Sequence, residues 1–110
     1  MALALNVFKT VTSIASTNPV GIYTAPVGYT GVVLLAQCTN MGSSTYTMTL
    51  QFRRDGTDVP LISEVPIPPN DTANLLSGKL VLETGDSLVT NGSNATNLKF
   101  LTSILETSNL

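Results

Sequence analysis

Histidine and tryptophan are absent from this 110-residue chain, and cysteine occurs once. Without histidine the chain lacks the commonest general base and the commonest transition-metal ligand, which argues against catalysis. One cysteine, Cys38, cannot form an intrachain disulfide, so the fold has no covalent staple and Cys38 reads as filler. Charge is equally scarce. Only 11% of residues are charged while 43% are hydrophobic, and the net charge is −2, against a usual charged fraction of about 25%. The polar surface must then be Thr, Ser and Asn, and such a surface lacks the charge that keeps monomers apart. A protein that covers its exterior with other subunits fits this composition; a small soluble domain with a low-charge surface is the plainer alternative.

No stretch approaches the ~20 apolar residues of a membrane span. The start, "MALALNVFKTVTSIAS", has no basic region and is interrupted by Asn6 and Lys9, so no signal peptide is expected. Without that signal, the Asn-x-Ser/Thr sequons at Asn70, Asn91 and Asn94 carry no weight. Arg53 and Arg54 are the only basic pair, far short of a nucleic-acid footprint, and read as a solvated strand end. Met1, Met41 and Met48 are scattered. Tyr23 and Tyr29 bracket "TAPVGY", either as a recognition loop or as a cap on the rim of the fold.

What is present is β-structure. Thr and Val fill the segments between Gly, Pro and Asn punctuation, and no helical period emerges. In "TYTMTLQFRR", Tyr46, Met48, Leu50 and Phe52 share one strand face and Thr45, Thr47, Thr49, Gln51 and Arg53 the other. Asp55-Gly56 closes a hairpin, predicted to pair Phe52 with Val59, Leu50 with Leu61 and Arg53 with Asp58, with the four apolar residues buried together. Pro60, which lacks a ladder donor, then belongs on a sheet edge or at a bulge. "GVVLLAQCTN" reads as a central strand, "GIYTAPVGYT" as a short strand and a turn, and "VPIPPN" as an extended connection. "TANLL" fits a short strand or one helical turn, and "KLVL", "DSLVT" and "NLKFLTSILE" are further strands. With the N-terminal strand the count is about eight, so the expected fold is all-β: a single antiparallel β-sandwich of jelly-roll or immunoglobulin-like type over residues 1–110. Residues 1–18 are a possible N-terminal arm or first strand used in assembly.

One stretch has a chemical look. In "GKLVLETGDSL" the acids Glu83 and Asp86 flank Thr84-Gly85. Calcium needs six to eight oxygens, and paired glycosidase carboxylates face a cleft across about 5 to 10 Å. These two acids flank a tight turn, and read as turn chemistry within a hairpin, the exact register open. No catalytic, metal or cofactor site is expected. The candidate interface is Leu3, Leu5 and Val7, which share a strand face of the N-terminal segment with no evident reason for exposure.

The stretches "IYTAPVGYTGVVLLAQCTN", "VPIPPNDTANLLSGKLVLETGDSL" and the closing "TSILE" resemble small virion structural proteins of tailed bacteriophages, especially marine cyanophages, over about residues 20 to 106. The shared elements are turn and packing signatures. The resemblance implies a non-enzymatic β-sandwich subunit of the virion, a head decoration or a neck or tail component, assembled in the host cytoplasm through contacts with its own copies and other virion proteins. Neither nucleic acid nor membrane is an expected partner. A ligand- or glycan-binding sandwich on a fibre or baseplate is the alternative, weakened by the lack of Trp. An enzyme ranks third, since it would have to rely on an acid pair or on Lys9, Lys79 or Lys99.

Overall fold

In a computed structural model of the chain, residues 6–109 are described; Leu3 and Leu5 lie outside them. Nine strands follow in order: β1 (Asn6–Ile14), β2 (Val20–Thr24), β3 (Tyr29–Asn40), β4 (Tyr46–Arg54), β5 (Thr57–Ile67), β6 (Thr72–Asn74), β7 (Leu80–Leu82), β8 (Ser87–Gly92) and β9 (Leu98–Ser108). They form two sheets, and every pairing is antiparallel. One sheet runs β1-β9-β3-β6, with β7 also on β3; the other runs β2-β8-β4-β5. Since β6 and β7 occupy one lane along β3, the order is that of a jelly roll. The all-β sandwich expected from the alternation is therefore the fold, with the count raised by that divided lane.

The core lies between the sheets. Met48 and Leu50 from β4, Leu88 from β8, Val33, Ala36 and Cys38 from β3, and Leu98, Phe100 and Ile104 from β9 are fully or almost fully buried there. In β9 each even-numbered residue from Leu98 to Glu106 is buried while the odd-numbered ones face outward, the period of two that a half-covered sheet imposes. Polar groups inside are paired. Thr102 Oγ1 donates to Leu35 O at 2.7 Å where β3 bulges. Buried Asn40 donates to Ser44 O and Ile67 O and accepts from Gly42 N, which pins the turn after β3.

The β4–β5 hairpin departs from its expected register partway along. Asp55 and Gly56 both have positive φ, 52° and 76°, as a two-residue hairpin turn demands. Arg53 faces Asp58 and Phe52 faces Val59 as expected, but Leu50 faces Ile62 rather than Leu61. Pro60, opposite Gln51, has no N–H for the ladder, and β5 bulges on either side of Leu50's partner. Glu64, at φ 50°, instead donates its N–H to Thr49 Oγ1. Nor are the four apolar residues buried together. Leu50 is sealed, Phe52 and Leu61 are half-buried, and Val59 near the tip is 51% exposed. β5 is both an edge strand and bulged beside Pro60, the two placements that its missing N–H allows.

Two further expectations change. "VPIPPN" is not merely a connection, because Val65–Ile67 complete β5 before the turn. "GKLVLETGDSL" is a turn but not a hairpin: β7 joins the β3 sheet and β8 the opposite one. Its turn closes Asp86 N to Glu83 O, with positive φ at Gly85 alone of the two central residues. Such a type II turn splays its flanking strands instead of matching their twist. The same device, with Tyr29 N bonded to Pro26 O and Gly28 at φ 87°, carries the chain between sheets from β2 to β3.

Candidate assembly surface

Among the described residues nothing covers the outer face of the β1-β9-β3 sheet. Register across that face aligns Phe8 with Leu105, Leu105 with Val32, and Val32 with Val81, an apolar row over four strands. Phe8 is 74% exposed and Val81 54%, with Leu105 and Val32 half-buried between them. Single exposed apolar residues are ordinary; a contiguous row on one face is what interfaces present. At the other end of the face, Thr12, Ile14, Gln37, Thr39, Lys99 and Leu101 border an open depression of about 490 Å³.

Val7, the described member of the predicted interface trio, stands on the opposite face of β1. It is half-buried and opposite Glu106, on the side turned toward the other sheet. The exposed apolar residues of β1 are Phe8 and Ile14, on the face opposite Val7.

Two ion-pair clusters lie at the sandwich's margins. Glu106, buried on β9, accepts a 2.6 Å hydrogen bond from Tyr23 Oη on the other sheet and pairs with Lys9 Nζ at 3.2 Å. Burial, then this carboxylate neighbour, pushes the Tyr23 phenol well above the usual tyrosine range. Gly31, opposite Glu106, makes room, since a Cβ there would meet the Tyr23 ring at 3.2 Å. Tyr23 is thus an inter-sheet strut rather than a loop reader. The second cluster centres on Asp86, buried at the β7–β8 turn. Arg54 grips it through Nε at 2.9 Å and Nη2 at 2.6 Å, and Nη2 also reaches Glu83 at 2.8 Å. Asp86 Oδ2 accepts the Glu83 N–H as well. The Arg54 guanidinium and this backbone bond hold the Asp86 carboxyl below the usual range, and the carboxylates raise Arg54.

Arg53 and Arg54 are therefore not a free solvated end: Arg53 holds Asp58 at 2.6 Å, and Arg54 ties the hairpin to a turn of another connection. Glu83 and Asp86 are turn residues, as expected, with a clamping role that spacing did not reveal. Among the described residues no three of His, Cys, Asp and Glu gather as a metal site would need. Cys38 is buried, and burial pushes its thiol up to about 11, away from a reactive thiolate.

The "IYTAP", "ETGD" and closing Ile-Leu-Glu stretches meet at one end of the sandwich. Ala25 of "IYTAP" exchanges backbone bonds with the "ETGD" turn, donating to Asp86 O and accepting from Gly85 N, and Thr84 Oγ1 donates to Tyr29 O. Tyr23 and Glu106 join "IYTAP" to the closing Ile-Leu-Glu. These motifs fasten the fold together.

No family model matches the chain, and no curated protein matches it in sequence. Solved structures match in fold. A protein of the Bacillus endospore appendages, described as disulfide-linked pili, has a TM-score of 0.59 at 11% identity, covering 98% of this chain and 96% of that one. A chain of the Helicobacter pylori bacteriophage KHP30 capsid also reaches 0.59 at 11% identity, covering 94% and 88%. The Drosophila NLP core, whose structure is discussed in terms of pentamer formation and histone binding, reaches 0.52 at 10% identity, covering 89% and 96%. At these identities the likeness establishes a shared β-sandwich, one that pilus and capsid proteins use.

Proposed function

We propose that the protein is a non-enzymatic structural subunit of a virion, a head decoration or neck or tail component of a tailed phage that works through protein–protein contacts with its own copies and other virion proteins. The observation that carries this reading is the uncovered row Phe8, Leu105, Val32 and Val81 on a chain with so few charges to keep it soluble alone. The phage capsid protein among its fold relatives supports it, and the tailed-phage and cyanophage affinity rests on the sequence motifs. Leu3 and Leu5, which lie outside the described residues, are proposed as further assembly contacts at the start of the chain, with half-buried Val7 on the face of β1 opposite that row. Replacing Phe8 and Val81 with Asp, in particles assembled with the variant as their only source of this protein, tests the reading. The variant is expected to fold and to be lost from particles; undiminished incorporation overturns it.

The depression bordered by Thr12, Gln37, Thr39 and Lys99 favours one second reading, a glycan-binding module. Its hydroxyl, amide and ammonium groups are the donors and acceptors a sugar requires. Saturable sugar binding that is lost on Gln37→Ala would establish it.

A further inference from the structure

Resting on the structural-subunit reading, we propose that β1 pairs antiparallel with β1 of a second copy of this chain, across a two-fold axis through Thr10. Open sheet edges bind other strands unless something guards them. Three of the four edges here are guarded. β5 carries Pro60 and Pro66, two register shifts and a left-handed Glu64. β2 has five residues, follows Pro19 and contains a bulge. The lane of β6 and β7 consists of two three-residue strands with an interruption between them.

β1 has none of these features. Its nine residues run without proline, glycine or bulge, in unbroken register with β9. Its one charge, Lys9, is matched within the chain by Glu106, so two such edges approach without net repulsion. Because the other edges are guarded, the edge of a second copy that can receive β1 is its own β1, which makes the contact isologous.

The register follows from the ladder. Ala15 N donates to Leu98 O directly opposite, so the odd-numbered residues of β1 bond to β9. The even-numbered ones, Asn6, Phe8, Thr10, Thr12 and Ile14, then turn N–H and C=O toward the free edge. A two-fold axis through Thr10 satisfies all of them: Thr10 meets Thr10, Phe8 meets Thr12 and Asn6 meets Ile14, while Lys9 lies beside Val11. Thr–Thr and aromatic–β-branched pairs are favourable cross-strand partners, and no like charges stand opposite. The sequence of β1 is self-complementary at the register in which its strand overlaps completely.

Sedimentation of the full-length protein tests this. Wild type is expected to form a reversible species of twice the 11.6 kDa chain mass. Thr10→Lys and Thr10→Glu each set like charges face to face at the axis and should weaken association about tenfold, whereas an equal mixture of the two should restore it. Thr10→Pro deletes an N–H that faces the free edge and spares the β9 ladder, so it should abolish dimers while the circular dichroism spectrum is retained. If wild type associates and all three variants associate equally well, β1 is not the interface, though the subunit reading stands. A wild type that stays monomeric at its highest soluble concentration overturns both pairing and self-association.

Discussion

Leu50→Ala and Val59→Ala, made separately, test how the sandwich distributes its stability. Both positions are apolar members of the β4–β5 hairpin, but Leu50 is 0% exposed and Val59 is 51%. Leu50 sits on a strand flanked by β8 on one side and β5 on the other, opposite Thr90 and Ile62. Strands held on both sides cannot close into the space left by a lost isobutyl group, so transfer and cavity terms both apply and the cost should be about 3 kcal/mol. Val59 keeps half its surface in water, and its truncation should cost about 0.5 kcal/mol. For a chain of this length those costs correspond to melting-point drops of about 13 °C and 2 °C. Urea unfolding at one low protein concentration separates the two, because self-association would otherwise add to apparent stability. Equal costs for the two variants, or less than about 1 kcal/mol for Leu50→Ala, would refute the assignment of the core.

Three further outcomes are expected. Asp86 has a carboxyl pKa lowered on folding, so its pairing with Arg54 stabilises the protein above the ordinary aspartate value of about 3.9 and the benefit fades as pH falls through the lower folded value; the stability gap between wild type and Asp86→Asn should be open at neutral pH and close in acid, and a gap that widens in acid would contradict the pairing. Tyr23→Phe should cost about 1.5 to 3 kcal/mol, the worth of a hydrogen bond to a charged group, and should abolish a phenol that resists ionisation beyond the usual tyrosine range in an ultraviolet pH titration. Gly56→Ala should cost about 1 kcal/mol in chemical unfolding, since alanine resists the positive φ that this turn requires.

Local sequence made legible those parts of the fold that local sequence controls. β4–β5 is the one pair of consecutive strands joined side by side among the described residues; the other neighbours in sequence do not pair with each other. Accordingly the Asp55-Gly56 turn, Phe52 against Val59 and Arg53 against Asp58 could all be read from spacing. The bulges beyond Pro60 could not, because they depend on Thr49 offering its hydroxyl to Glu64 across the ladder. Long-range partners left no local trace either: Tyr23 meets Glu106 across 83 positions and Arg54 meets Asp86 across 32. Glycine at position 85 did carry a signal about its turn, since φ > 0 at the second central residue alone marks a type II turn that separates strands. The exposed face of β1 was ambiguous by one residue, because alternation in "NVFKTVTSI" places apolar groups on both sides.

The central claim is that this chain works as a structural part of a particle, and a reconstruction of the purified virion tests it most directly. The account predicts the jelly-roll chain in stoichiometric density on the shell, neck or tail, with Phe8, Leu105, Val32 and Val81 against a neighbouring subunit. Absence of the chain from purified particles, or its presence with that face open to solvent on every copy, would contradict it.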